Sequence, residues 1–270
     1  MNDIKSTLKG NISPSFYDSL RNINDVFRRL SLLPSAYLHP WRRESISRLR
    51  VYKNRHQGKR CIIIGNGPSL KKMDLSLLKN EITFGMNRIY LLFPELGFPT
   101  TYYVSVNSLV IEQCAQDIRD LPIPQFLSWR SRKLIMPSDN TMFLHTTYTG
   151  PKFAKDIRTR VWEGATVTYV ALQLAFYMGF QQVILIGVDH SFTSKGKPNT
   201  TIVSQGDDPD HFDSKYFGKG FRWQLPDLDT SELAYRLAKK TYEENGREVL
   251  DATIEGKLEV FPKIDFYSLF

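Results

Sequence analysis

Several features are scarce or absent in this sequence, and each absence excludes a class of protein. Its 270 residues include only two cysteines, Cys61 and Cys114. Each falls in a predicted buried element, which favours reduced structural residues over a disulfide or a metal pair. No apolar run approaches the roughly 20 residues that span a bilayer. The polar N-terminus lacks the apolar core of a signal peptide, so we expect a cytoplasmic protein.

Two common nucleotide-binding motifs are also missing. The sequence contains neither the three-glycine dinucleotide pattern nor a phosphate-binding loop that ends in Gly-Lys-Ser or Gly-Lys-Thr. Any nucleotide site must therefore be built from several separate segments.

Positive charge is concentrated near the N-terminus. Residues 1–60 hold 13 Lys and Arg against 4 Asp and Glu, whereas the remaining 210 residues hold 23 against 24. We therefore divide the chain into a basic helical extension, residues 1–58, and a main domain, residues 59–270. Because the main domain carries no basic excess, a nucleic-acid partner is not expected.

The extension has a narrow apolar stripe that predicts a helix. Prolines at positions 34 and 40 are expected to end it before a second, short basic helix over Trp41–Tyr52. Such a stripe can contact the inner membrane surface peripherally or pack on the main domain, and its narrowness favours packing. Its members recur at helical spacing: Phe16, Leu20, Ile23, Phe27 and Leu30.

From Lys59 onward, short apolar runs alternate with helical patterns, which predicts an α/β fold with a mostly parallel sheet flanked by helices. The predicted strands are Arg60–Gly65, Ile82–Met86, Thr101–Val106, Gln125–Trp129, Met142–His145 and Gln182–Gly187, with short closing strands at Val249, Ile254 and Leu258–Phe261. The predicted helices are Leu70–Leu78, Leu109–Arg119, Thr166–Met178 and Thr230–Glu244, the last capped by Ser231, Thr230 or Asp229. A long polar loop precedes the last helix.

Polar residues follow four of these strands: Asn66, Asn87, Asn107 and Asp189. In a parallel sheet the carboxyl ends of the strands meet at one edge, where ligands bind. We therefore expect these four side chains to converge. The first strand also ends in the turn Gly65-Asn66-Gly67-Pro68-Ser69, whose glycines allow close backbone approach to a ligand. These residues predict a nucleotide-binding site.

The ordered set of segments resembles two related families with a Rossmann-like variant of the GT-A fold. One is the 6-hydroxymethylpterin diphosphokinase MptE-like family, and the other is the bacterial lipooligosaccharide sialyltransferases. The similarity runs from about Lys59 to Asp189. It includes the turn at 65–70, Asn87, the segment Asn107-Ser108-Leu109, and the stretch from Thr166 to Asp189 with its Gly179-Phe180 turn.

The resemblance implies a site for a nucleotide or a nucleotide-activated donor, such as a CMP-sugar, and a small-molecule or glycan acceptor. The binding residues that it implies are Gly65, Asn66, Gly67, Pro68, Ser69, Asn87, Asn107, Thr166, Thr168 and Gly187. Arg88, which follows Asn87, is added as a nucleotide-binding candidate because arginine binds phosphate through two hydrogen bonds. In the sialyltransferases a histidine base precedes a C-terminal Lys-Thr-Tyr helix. Here Lys240-Thr241-Tyr242 is present, but the preceding residues 223–229 contain no histidine.

The general base must then come from elsewhere. His190 directly follows the last binding strand and can titrate near neutrality, so it is one candidate catalytic residue. Asp189 can orient a ligand hydroxyl, and Asp227 is an alternative base. Charged candidates for a phosphate contact are Arg88, Lys195, Lys197, Lys219 and Arg222.

Residues 207–213, which include four aspartates, can either bind Mg²⁺ or form an acidic surface loop. Three functions stay open: a glycosyltransferase for surface polysaccharide, an Mg²⁺-dependent diphosphokinase acting on ATP and a pterin-like acceptor, and a nucleotide-binding scaffold without catalysis. The sequence leaves open whether the chain forms a homo-oligomer.

Overall fold

Seven parallel strands form the central sheet of the protein. The computed structural model describes residues 26, 27, 30–148 and 150–270. In spatial order the strands are β11, β8, β1, β2, β3, β4 and β5, and every neighbouring pair is parallel. Their bounds are β1 Arg60–Ile64, β2 Thr83–Met86, β3 Tyr102–Ser105, β4 Gln125–Ser128, β5 Thr141–Leu144, β8 Gln182–Ile186 and β11 Glu248–Asp251.

The strand order has a reversal between β1 and β8. The chain moves outward from β1 through β2 to β5, then returns to the other side of β1 for β8 and β11. Such a reversal leaves a crevice outside the carboxyl ends of the two central strands. The predicted α/β, Rossmann-like fold is confirmed, and the crevice at β1 and β8 is where a ligand site is expected.

Helices cover both faces of the sheet. Cys61 and Ile63 of β1 face one apolar core, whereas Ile62 and Ile64 face the other. The helices are α1 over residues 30–38, α2 Pro40–Leu49, α3 Phe93–Leu96, α4 Ser108–Gln113, α5 Ala115–Arg119, α6 Val167–Tyr177 and α7 Leu228–Glu243. Ten of the 11 residues of α6 are buried, because this helix lies between the sheet and α7. Its apolar sequence is thereby explained.

Part of the predicted extension packs on the sheet. Helix α2 lies against β5, where the Phe143 amide donates to Ser45 Oγ at 3.0 Å. The expected break at Pro34 is wrong, because helix α1 continues through it to residue 38. Proline has no backbone N–H, so the helix lacks one hydrogen-bond donor at this position. The break comes at His39, which caps α2. Most of the stripe from Phe16 to Leu30 lies outside the described residues. No helix in the described ranges is long and apolar enough to cross a membrane.

Two predicted helices differ from the structure because the chain bends within them. The segment expected at 70–78 forms two 3₁₀ turns, Pro68–Lys72 and Leu75–Asn80, separated by Met73 in an extended conformation. The segment expected at 109–119 is divided at Cys114, whose φ of −122° interrupts the helix. Both cysteines are buried and free.

The chain after β8 also departs from expectation. Residues 191–226, here called the crossover segment, contain an antiparallel hairpin of β9 Thr201–Val203 and β10 Arg222–Gln224. A further short pair joins β6 Thr146–Thr147 to β7 Val161–Trp162. The closing strands expected at Ile254 and Leu258–Phe261 are absent from the described structure, although Leu258 and Phe261 are buried.

Candidate functional site

A cavity of about 520 Å³ opens at the carboxyl ends of the strands. The sheet forms its floor, the start of α6 and of α7 forms one side, and the crossover segment forms another. All four polar residues that follow the strands line it: Asn66, Asn87, Asn107 and Asp189. The structure therefore brings together side chains that are up to 123 positions apart in the sequence.

The two glycines of the first turn, Gly65 and Gly67, are required because the turn lies in contact with the end of β8. The Gly67 amide donates to the Gly187 carbonyl at 2.9 Å. A Cβ atom at position 65 would lie 2.1 Å from the Gly187 oxygen, and one at 67 would lie 1.7 Å from Asp189 Oδ2. Both glycines thus let the β1 and β8 turns touch, and this contact forms the floor of the cavity.

Asp189 is held by Ser69 on the opposite turn. Its carboxylate accepts the Ser69 amide at 3.1 Å and the Ser69 hydroxyl at 2.7 Å. Burial raises the pKa of the Asp189 carboxyl above its usual range, and the two bonds from Ser69 act in the opposite direction. Ser69 and Pro68 do not line the cavity. Ser69 therefore positions Asp189, which itself faces the cavity.

The three asparagines differ in the hydrogen bonds that their side-chain oxygens already accept. Asn87 Oδ1 accepts the Ser105 hydroxyl at 3.1 Å, and Asn107 Oδ1 caps helix α4. Asn66 Oδ1 is buried and has no hydrogen-bond partner in the part of the chain that the structure describes. A buried acceptor without a partner costs free energy, so Asn66 is the asparagine that most needs a donor from a ligand.

The start of α6 supplies a second polar wall. Thr166 caps this helix, and its hydroxyl lies 3.4 Å from the hydroxyl of Tyr235 on α7. Thr166, Thr168 and Tyr235 line the cavity, and so does Gly187. Because a helix N-terminus carries partial positive charge, this wall suits an anionic ligand group.

Arg88 lies outside the cavity lining, in contrast to the role expected for it. Its guanidinium donates to the carbonyls of Lys215, at 2.8 Å, and of Tyr216. It also lies over the ring of Phe221, 5.2 Å from the centroid. Arg88 thus fastens the crossover segment to the end of β2. Arg222 is likewise paired, with Glu112 at 3.0 Å.

His190 and Asp227 both line the cavity and both have partners. His190 Nε2 lies 3.2 Å from Glu232 Oε1. Asp227 caps α7 by accepting the Thr230 amide, and its other oxygen accepts the Asn199 side chain at 2.8 Å. The expectation that Asp229, Thr230 or Ser231 caps this helix is wrong, because the helix begins at Leu228, two residues earlier than predicted.

The aspartates of the 207–213 run build the crossover segment. Asp208 accepts from the His211 ring at 2.8 Å and from the Phe217 amide at 2.9 Å. Asp210 accepts the Thr193 amide and hydroxyl, and its Oδ2 is buried without a partner in the described residues. Within the described ranges, no group of three ligating side chains could hold a metal ion. A metal site formed by this run alone is therefore not supported.

Several cavity residues were not identified from the sequence. His211, Tyr216, Phe217 and Trp223 come from the crossover segment, and Arg130 and Glu163 from the opposite side. Arg130 is the one Lys or Arg among the described lining residues, and its guanidinium lies 3.8 Å from the Glu163 carboxylate. The only sequence signal for His211 was its place in the acidic run.

Comparisons with known proteins agree with this fold. Residues 38–195 match the family model described as 6-hydroxymethylpterin diphosphokinase MptE-like. No curated protein matches the sequence. Among solved structures, the chain is similar to the MAf glycosyltransferase from Magnetospirillum magneticum AMB-1, with 14% identity and a TM-score of 0.50. The match covers 96% of this chain and 43% of that one, and at this identity the likeness shows the fold alone.

Proposed function

The chain belongs to the MptE-like family, and from this premise we propose that it is a transferase for a nucleotide-activated donor. The observation that carries the proposal is Asn66, a cavity-lining residue at the point where the β1 and β8 turns meet, whose Oδ1 is buried and has no hydrogen-bond partner among the described residues. The position at the strand reversal supports the same conclusion, since ligands of open α/β sheets bind there.

The leading proposal is glycosyl transfer from a nucleotide sugar in the synthesis of surface polysaccharide, with a sialyltransferase-like arrangement of the donor. Asn66, Asn87 and Asn107 would contact the nucleoside, and the α6 start would contact the phosphate. His190 would accept the proton of the acceptor hydroxyl, with Asp189 orienting the substrate. The acceptor oxygen then forms a bond to the sugar carbon, and the bond between that carbon and the phosphate oxygen of the donor breaks. The electron pair of the broken bond stays on the phosphate oxygen, which leaves with the nucleotide.

The second proposal is a diphosphokinase, which the description of the matching family favours. This reaction needs Mg²⁺ to neutralise the transferring phosphates. Mg²⁺ commonly takes one or two protein carboxylates together with substrate phosphates. The buried free oxygen of Asp210 fits that requirement, because Asp210 lines the cavity.

One product assay separates the proposals. The chain is incubated with CMP-, CDP-, UDP- and GDP-sugars, and separately with ATP, Mg²⁺ and a hydroxymethylpterin. Release of free nucleotide from one sugar donor supports glycosyl transfer, and AMP release that requires the pterin supports the diphosphokinase. Binding of a nucleotide without either product would contradict both and favour a non-catalytic scaffold. Asn66→Ala should abolish the productive reaction.

A further inference from the structure

The cavity has little positive charge with which to receive a phosphate group. Its described lining contains four carboxylates, from Glu163, Asp189, Asp210 and Asp227, and one guanidinium, from Arg130. Arg130 is paired with Glu163. A nucleotide phosphate carries at least one negative charge and needs hydrogen-bond donors or cations around it. Among the described lining side chains, only the two histidines could add further positive charge.

His211 is the more firmly held of these histidines. Its Nδ1 lies 2.8 Å from Asp208 Oδ2, and the Asp208 side chain is only 5% exposed. The ring stacks on Tyr216 with 4.0 Å between centroids and 5° between planes. His190 is instead paired with Glu232, which is 41% exposed and also binds Arg236 at 3.2 Å. The buried carboxylate fixes both the tautomer and the orientation of the His211 ring.

His211 is also tied directly to the glycine turn. The amide of the next residue, Phe212, donates to the Asn66 carbonyl at 2.9 Å. The histidine therefore lies beside the Asn66 turn, and it lines the same cavity as the start of α6, which would contact the phosphate. Since Asp208 occupies Nδ1, the nitrogen left for a ligand is Nε2, which has no partner among the residues described.

We propose that His211 is a catalytic residue that contacts the phosphate of the donor through Nε2, with Asp208 as its positioning residue. This inference rests on the proposed function. As the bond between the transferred group and the phosphate oxygen breaks, the electron pair stays on that oxygen. The protonated imidazole donates a hydrogen bond to it through Nε2, and its Nδ1 proton stays bound to Asp208. Charge-assisted bonds of this kind stabilise an anionic leaving group.

The groups around the ring define the pH dependence. Asp208 is the charged group in contact with it, and Asp210 precedes it in the chain. Tyr216 covers one face, with the Arg88 guanidinium 5.9 Å from the Tyr216 ring centroid. Burial raises the pKa of the Tyr216 hydroxyl above its usual range, so this side chain stays uncharged. Imidazole is the side-chain type whose charge commonly changes between pH 5 and pH 8, so the test includes a comparison at two pH values.

The test compares nucleotide and nucleoside binding to the full chain by titration calorimetry, in EDTA and in a parallel series with Mg²⁺, at pH 6.0 and pH 8.5. The probes are CMP, UDP, GDP and AMP, each beside its nucleoside. His211→Gln should weaken nucleotide binding about tenfold to a hundredfold at pH 6.0 and leave nucleoside binding unchanged. The wild-type preference for nucleotide should fall at pH 8.5, and this pH effect should vanish in His211→Gln.

Two further variants complete the test. Asp208→Asn keeps an acceptor for the Phe217 amide but removes the charge, so it should shift the pH profile of nucleotide binding toward lower pH. If His211→Gln fails to fold, this shift carries the test. His56→Gln is the control, because His56 stacks on Phe180 at 4.7 Å and does not line the cavity. It should bind nucleotides as the wild type does.

The outcomes separate this inference from the proposed function. Nucleotide binding that is equal in wild type and His211→Gln overturns the role of His211 alone. Equal losses for nucleotide and nucleoside also overturn it, since they indicate a purely structural residue. The role of His211 is also overturned if the preference for nucleotide over nucleoside requires Mg²⁺ and does not require the histidine. If no probe binds the wild-type chain, the proposed function fails and this inference fails with it.

Discussion

Ser69 and Asp189, which lie 120 positions apart in the sequence, form a two-point contact beneath the cavity. The amide and the hydroxyl of Ser69 both donate to the Asp189 carboxylate, at 3.1 and 2.7 Å. Because one residue follows β1 and the other follows β8, this contact joins the two turns at the strand reversal. The geometry of the candidate nucleotide site depends on it.

Ser69→Ala should destabilise the protein in a pH-dependent way. The substitution removes the hydroxyl bond to Asp189 and keeps the amide bond. The hydroxyl bond favours the charged carboxylate, so its contribution is present at pH 7 and is lost as the pH falls through the pKa of Asp189, which burial raises. We expect a loss of about 1.5–3 kcal/mol at pH 7, typical of a hydrogen bond to a charged group, and a smaller loss near pH 3. Urea unfolding of the wild type and the variant at pH 7 and pH 3 measures this difference in the free energy of unfolding.

Ser76→Ala is the matched control for that series. The Ser76 amide and hydroxyl also donate to an aspartate, Asp74, but this pair is exposed. Removing the Ser76 hydroxyl should lower the free energy of unfolding by less than Ser69→Ala does. This loss should change little with pH, because exposed charges are well solvated. Equal pH dependence in the two variants would show that burial of Asp189 has no special effect.

Gly67→Ala should disturb the site without removing any ligand group. The added methyl would lie 1.7 Å from Asp189 Oδ2, so one of the two turns must move. We expect a loss of about 1–3 kcal/mol, as for overpacking in a core, together with loss of nucleotide binding. Gly206→Ala is the control, because no heavy atom lies within 4 Å of the Cβ it would add. Thermal unfolding of both variants, with and without nucleotide, would reveal the difference, and equal behaviour would contradict the packing argument.

Two substitutions at Asp227 separate its role as a helix cap from a role as the general base. Asparagine caps helices as well as aspartate does, so Asp227→Asn should leave stability almost unchanged, whereas Asp227→Ala should cost about 1 kcal/mol. Turnover that persists in Asp227→Asn would restrict this residue to capping. Asp229→Ala serves as the control, since Asp229 lies within the first turn of α7 and does not cap it. An equal loss in Asp229→Ala would contradict the assignment of the cap.

Arg88→Lys should loosen the crossover segment. A lysine cannot reproduce the fork that binds the Lys215 and Tyr216 carbonyls together. Amide hydrogen exchange should therefore increase over residues 208–217. Arg222→Lys should have a small effect, because Arg222 and Glu112 are 45% and 48% exposed. If Arg88→Lys leaves exchange unchanged, Arg88 does not fasten this segment.

The sequence was sufficient to predict the central sheet and the residues at its strand ends. Runs such as Cys61–Ile64 are apolar and β-branched, and their periodicity is local, so it can be seen without a structure. The position of Asn66, Asn87, Asn107 and Asp189 at one edge then follows from the parallel topology.

The crossover segment could not be predicted in the same way. Strand β9 is three residues long and two of them are exposed, so it has no apolar periodicity to detect. The pairing of Asp208 with His211, and the clamp by Arg88, depend on how the chain folds back over the cavity. For the same reason Arg88 was expected in the nucleotide site, although its partners are backbone carbonyls 127 and 128 residues away.

A thermal-shift series can test whether a nucleotide binds at the β1 and β8 turns. Wild-type protein and Asn66→Ala are heated with CMP, CDP, UDP, GDP or ATP, in Mg²⁺ or in EDTA. A nucleotide at about 100 times its dissociation constant should stabilise the wild type by roughly 2.7 kcal/mol. We predict that at least one nucleotide does so and that Asn66→Ala removes the shift. A wild type that no nucleotide stabilises, or a shift that survives in Asn66→Ala, would contradict nucleotide binding at these turns.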